Sequence, residues 1–248
     1  MSSWNLGRVM PAGKATAVVA IVLLTGLAAG AQTLSVLPVN IFLPPGQKAT
    51  TLTVTNPGKT ETAIQLRAYA WNQSGDDDPL TATAAVGVSP PMATIAPGAS
   101  QVVRVILREP PQDREATYRI LVDQIPPPAE PGFVRVVLRL SIPIFAQPMV
   151  RTASNVQFHL ETNAGKLTLV GVNSGLRHDA IREIALTTAD GRTLKLDGGF
   201  SPYILAGATR HWPLAVQGPL PLPGEMLKLT AHADANAIEE QIHVAAAP

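Results

Sequence analysis

The chain has 248 residues, no cysteine and a formal net charge of +1. Without cysteine it has no disulfide, thiolate metal site or cysteine nucleophile, and its near-neutral charge gives no support for nucleic-acid binding. Hydrophobic residues make up 46% but aromatics only 4%, with 23 prolines and 19 glycines, so the core is aliphatic and frequent turns argue for short strands rather than long helices.

At the N-terminus, Arg8 and Lys14 accompany an apolar run, Ala15 to Gly30, and Ala29-Gly30-Ala31 supplies small residues for cleavage. This pattern predicts a secretory leader over residues 1–31. The alternative is a permanent anchor, for which the run is shorter than the ~20 residues a span needs. Cleavage after Ala31 removes Arg8 and Lys14, taking the charge from +1 to −1. It also leaves no stable membrane insertion.

Strand signals then follow one another closely. Leu34 to Leu43 is the first. Ala49 to Asn56 alternates, with Leu52 and Val54 on one face and Thr51, Thr53 and Thr55 on the other. After the turn Asn56-Pro57-Gly58-Lys59, Thr62 to Trp71 alternates again and Asn72 to Pro79 forms a polar loop. Val86 to Ile95 contains Pro90-Pro91, which predicts an edge or a switch between sheets. Gln101 to Leu107 and Ala116 to Ile125 are further strands.

Phe133 to Phe145 gives the longest strand signal. Val134, Val136, Leu138, Leu140 and Ile142 share one aliphatic face, while Phe133, Arg135, Val137, Arg139 and Ser141 share a mixed one. Periodicity alone suits an ordinary sandwich strand with its aliphatic face in its own core. Gln147-Pro148 reads as a domain boundary, giving segments 32–148 and 149–248. Seven strands precede it, the number expected of an immunoglobulin-like sandwich. Beyond it lie Val156 to Glu161, Leu167 to Val172, Ile181 to Thr188, Thr193 to Leu196, Leu227 to Ala233 and Ile238 to Val244. The fold class expected is all-β, with two immunoglobulin-like β-sandwich domains.

Catalytic patterns are missing. The five histidines lack metal-helix spacing, and no nucleophile elbow, phosphate loop or dinucleotide motif occurs. Asp76-Asp77-Asp78 lacks the alternating ligands and distal Glu of a calcium loop. Neither a cofactor nor an enzymatic activity is expected. Arg104, mid-strand among valines and isoleucine, reads as structural, facing solvent or a carboxylate such as Glu115 or Asp123.

Three segments in order carry a resemblance. They are Val88 to Gly98 (VSPPMATIAPG) followed by Gln101 to Arg104, Pro111 to Glu115 (PQDRE) running into Ile125-Pro126-Pro127, and Phe133 to Pro148 (FVRVVLRLSIPIFAQP). Together they resemble the periplasmic pilus and fimbrial assembly chaperones of the chaperone–usher pathway, the PapD-like family. The likeness covers residues 34 to 148 well, and the remainder by size and strand content.

The resemblance implies two immunoglobulin-like domains in an L-shape, periplasmic localisation, pilus subunits as partners and delivery to an outer-membrane usher. It implies donor-strand complementation, in which the chaperone completes a subunit lacking one strand. Val134, Val136, Leu138 and Leu140 match the donor positions, which sets aside the ordinary core-strand reading. Better-known members hold the subunit's terminal carboxylate with an Arg in the first strand and a Lys near the end of the donor strand. Here the matching positions are Asn40 and Pro143, neither charged; the departure resembles the archaic branch, although even there Asn40 stands in place of an arginine. Arg139 and Arg119, on the last two strands of the first domain, are the candidate replacements beside Asn40. The alternative function is a structural or adhesive surface protein built from immunoglobulin-like domains.

Overall fold

The computed structural model describes residues 34–75, 77–127, 136–163, 165–198 and 201–245. The expected leader, residues 1–31, lies outside them, as does Val134. The described residues form strands and no helix.

Two facing sheets make the first sandwich. One has the order β1 (Ser35–Leu37), β3 (Ala49–Thr55), β8 (Ser100–Leu107) and β6 (Val86–Ser89). The other runs β2 (Ile41–Leu43), β10 (Arg139–Ala146), β9 (Ala116–Ile125) and β4 (Thr62–Trp71). The far edge of β4 takes β7 (Met92–Ile95) and then β5 (Leu80–Ala82). Alternation explains the packing. Leu52 and Val54 of β3, Ile64 and Leu66 of β4, Val103 and Val105 of β8 and Ile120 and Val122 of β9 are all buried in one core. The threonines of β3 face outward or partly so, as period two requires.

Two expectations are refined by prolines. Val86 to Ile95 does switch sheets, with β6 in the first sheet and β7 in the second, on either side of Pro90-Pro91. Leu34 to Leu43, expected as one strand, is also split. It breaks at Pro38, with β1 in the first sheet and β2 in the second, since proline gives a ladder no N–H.

The second sandwich is one sheet of order β11 (Val156–Asn163), β12 (Lys166–Asn173), β17 (Thr209–Ala215), β15 (Thr193–Leu196), β14 (Arg182–Thr187), β18 (Met226–His232) and β19 (Ala237–His243). A parallel bridge between Leu160 and Val244 draws its two edges together, which covers edges that would otherwise stay open. A short pair, β13 (Asp179–Ala180) with β16 (Tyr203–Ile204), lies beside it. Strand β17 escapes sequence reading because Arg210 and Pro213 interrupt its apolar pattern, yet Arg210, Trp212 and Leu214 all point inward.

The two cores meet at a joint. Trp71 of β4 and Phe145 of β10 are fully buried in the second core, not the first. Phe145 stacks on His178 with centroids 3.6 Å apart, and Trp71 meets Tyr203 edge-on at 5.7 Å. Gln73 extends the joint. Its Nε2 donates to the Tyr203 carbonyl at 2.9 Å and its Oε1 accepts from the Leu205 N–H at 2.8 Å.

Candidate binding surface

β10 pairs antiparallel with β9 along its whole length, from Arg139 opposite Asp123 to Ala146 opposite Ala116. On its other edge β2 pairs in parallel, but only with Ile144, Phe145 and Ala146. The edge from Arg139 to Pro143 therefore has no strand beside it among the described residues.

The expected strand from Phe133 to Phe145 needs correction. The described strand begins at Arg139, and Val136, Val137 and Leu138 precede it without regular pairing. Its aliphatic face has two fates. Leu140, Ile142, Ile144 and Ala146 pack into the first core, as an ordinary sandwich strand would. The same face then runs off the end of that core. Val136 is 80% exposed and Leu138 half-buried. Leu138 is still tethered to β9, its carbonyl accepting from the Gln124 N–H at 3.0 Å and its N–H donating to Gln124 Oε1 at 3.3 Å. Val137, between Val136 and Leu138, is 46% exposed, and exposed aliphatic residues beside an open strand edge are an aggregation hazard that proteins otherwise blunt.

The opposite face of this sheet carries the charges. Asp123 accepts from Arg139 Nε and, at 2.6 Å, from Arg67 Nη2. Burial alone would raise the Asp123 pKa. The hydrogen bonds from Arg139 and Arg67 outweigh it and hold the carboxyl below its ordinary value. Arg139 is thus already committed to a carboxylate of its own chain.

Arg119 is placed differently. Its guanidinium lies 3.8 Å over the Trp71 ring, and Nη1 donates to Ser141 Oγ at 3.1 Å. Its buried Nε has no hydrogen-bond partner. Burial lowers its pKa, opposed by Asp78 and Tyr203 and assisted by Arg210. An arginine keeps its proton regardless, so a half-buried cation with an unused donor stands one strand in from the open edge. Register puts Arg119 opposite Pro143 on one side and Tyr69 on the other. Asn40 immediately precedes Ile41, which pairs with Ile144, so Asn40, Pro143 and Arg119 belong to one row across three neighbouring segments. The side-chain oxygen of Asn40 accepts from the Tyr203 hydroxyl at 3.1 Å.

Arg104 and Glu115 separate. Arg104 is exposed on β8, between Thr51 of β3 and Ser89 of β6. Neither carboxylate expected near it is free. Asp123 holds Arg67 and Arg139. Glu115 is buried, and its Oε1 accepts from His178 Nδ1 at 2.6 Å and from the His178 N–H at 3.1 Å. No local pattern points to the partner of His178, because the two residues lie 63 positions apart. Ser141, Trp71 and Tyr203 were equally silent.

Residues 33–151 match the family model of the pili and flagellar-assembly chaperone, PapD N-terminal domain. No curated protein sequence matches the chain. Several solved structures share the fold. A chain of the chaperone–tip adhesion subunit pre-assembly complex CsuC–CsuE, from archaic chaperone–usher Csu pili of Acinetobacter baumannii, is 21% identical, with a TM-score of 0.65 over 86% of this chain and 100% of that one. The E. coli chaperone DraB is 22% identical, with a TM-score of 0.55 over 86% and 97%. A chain of the Salmonella enterica SafA pilin–SafB chaperone complex is 16% identical, with a TM-score of 0.57 over 87% and 97%.

Proposed function

From a chain whose residues 33–151 match the assembly-chaperone N-terminal domain, and whose fold is shared with solved pilus chaperones, we propose that the protein is a periplasmic, non-enzymatic chaperone for pilus subunits. It holds a subunit by donor-strand complementation and delivers it to an outer-membrane usher. One observation carries this reading: the segment leading into β10 holds exposed Val136 and half-buried Leu138 outside the first core, beside an unpaired edge.

An incomplete subunit sandwich needs both things that this segment offers, main-chain bonding groups and apolar plugs at period two. Fully burying a Val or Leu stabilises by about 1.5–3 kcal/mol relative to exposure. The ordering of both partners opposes that gain, so a fixed polar anchor adds to specificity. Arg119 suits this role, because its fork binds a carboxylate through parallel hydrogen bonds and its Nε is unused. Arg139 is less suited, since Asp123 already occupies it. Pro143 in place of the Lys is similar to the archaic branch, whereas Asn40 departs from that branch as well.

The test uses periplasmic extracts passed over the tagged protein, with co-purifying chains identified by mass spectrometry. A pilin-like polypeptide is expected with the natural chain. It should be lost with Val136→Asp combined with Leu138→Asp, while the variant stays folded and soluble, because Val136 is exposed and the half-buried Leu138 lies outside the first core. Ile142→Asp is the contrast. It buries a charge in the first core and should prevent folding outright. Undiminished subunit recovery by the Val136/Leu138 double variant would sink the donor-strand reading. A surface adhesin, by contrast, would be recovered on the cell exterior and not with subunits.

A further inference from the structure

The charged residues of β4, β9 and β10 are Arg67, Arg119, Asp123 and Arg139. All lie on the face of their sheet turned away from the first core, so three cations share one anion there. Asp123 sits between two of them, accepting from Arg67 Nη2 at 2.6 Å and from Arg139 Nε. Its side chain is 14% exposed, whereas those of Arg67 and Arg139 are 42% and 62% exposed. The carboxylate is thus covered and the two guanidiniums are not, and the group presents a net positive charge to solvent. Asp123 also holds both arginines in place, and the Arg67 guanidinium lies 5.8 Å over the Tyr69 ring. A cation ordered in advance loses less freedom when it meets a partner's anion.

Arg139 stands on the open edge itself. β2 takes that edge from Ile144 onward, and the same parallel register sets Asn40 beside Pro143. An incoming strand must stop short of Asn40 and can extend only toward Arg139. With its terminal carboxylate in the row of Asn40 and Arg119, as proposed above, the strand runs in the direction of β10 and its last residue stands beside Ser141. Counting back along the parallel pair, the residue two before the last stands beside Arg139. Neighbours across a sheet point to the same face, and the strands lie about 4.8 Å apart, so that side chain emerges next to the Arg139 guanidinium.

Resting on the donor-strand reading and the Arg119 anchor above, we infer that Arg139, with Arg67 held beside it by Asp123, selects subunits that carry an Asp or Glu two residues before the last. An acid there completes the cluster, giving two guanidiniums two carboxylates. A lysine or arginine there meets two uncovered guanidiniums and is rejected, so the same pair discriminates by repulsion as well as by attraction. The preference is confined to one position, because an acid one residue to either side points to the opposite face.

Synthetic peptides of alternating valine and threonine provide the test. Each carries an N-terminal fluorophore, two N-terminal lysines and a free terminal carboxylate, and one glutamate is moved through successive positions. Binding to the protein is read by fluorescence anisotropy. Affinity should peak with glutamate two residues before the last, roughly fivefold above the glutamate-free peptide, the upper range of an exposed ion pair. The peak should flatten in ~1 M salt, where the screening length is about 3 Å. It should vanish in Arg139→Gln and persist in Arg192→Gln, which alters the second sandwich. In Arg139→Glu, lysine at that position should bind better than glutamate. A flat profile in the natural protein, or a peak that survives Arg139→Gln, with binding still lost in the Val136→Asp/Leu138→Asp variant, would overturn the selection and leave the donor edge standing. Binding of no peptide, or binding indifferent to the Val136/Leu138 double variant, would overturn the donor edge and the selection together.

Discussion

The His178 imidazole and the Glu115 carboxylate meet at 2.6 Å with both side chains wholly buried. Glu115 lies just before β9 of the first sandwich and His178 just before β13 of the second. The Glu115 N–H also donates to the Leu176 carbonyl at 2.9 Å, so side chain and backbone grip the same segment. Phe145 covers the imidazole face, which excludes water and makes any orphaned donor costly.

Glu115→Leu should therefore destabilise the protein by about 3 kcal/mol, since it leaves two His178 donors unsatisfied at roughly 1–3 kcal/mol each. Urea titration is the measurement. Combining it with His178→Leu should cost less than the sum of the single changes, with a coupling of at least ~0.5 kcal/mol. Simple additivity would mean that the pair does not join the two sandwiches.

Acid should weaken the first sandwich through Asp123. Its pKa is depressed in the folded protein by Arg139 and Arg67, so folding favours the ionised form. That stabilisation is complete above the unfolded value of about 4. It is lost as pH falls through the folded value. Carboxyl NMR should find Asp123 titrating below an ordinary aspartate, and either Arg139→Ala or Arg67→Ala should raise the midpoint. An ordinary or elevated midpoint in the natural protein would contradict the cross-strand pairing.

Arg119→Ala should weaken subunit binding by roughly tenfold or more, on the scale of a charge-assisted hydrogen bond at about 1.5–3 kcal/mol. Arg177→Ala and Arg192→Ala, in the second sandwich, should have little effect. Arg192 is already paired with Asp190. Repeating the measurement with a subunit whose terminal carboxylate is amidated separates the anchor from general charge. Amidation and Arg119→Ala should be non-additive, because each removes the same contact. If their effects simply add, Arg119 does not hold that carboxylate.

Local alternation is written in the chain, because a strand puts successive side chains on opposite faces whatever its neighbours are. Hence Thr62 to Trp71, Ala116 to Ile125 and Thr193 to Leu196 could be delimited from sequence with the bounds that the structure gives. The aliphatic series ending in Ile142 was legible for the same reason. Which part of that series fills its own core was not, since core thickness is set by strands distant in sequence. Tertiary structure alone decided that Leu140 onward is packed while Val136 is bare. It alone brought Asn40, Pro143 and Arg119 into one row, and His178 to Glu115. Register and cross-sandwich contact depend on pairing between remote segments, and a period of two carries no information about which segments pair.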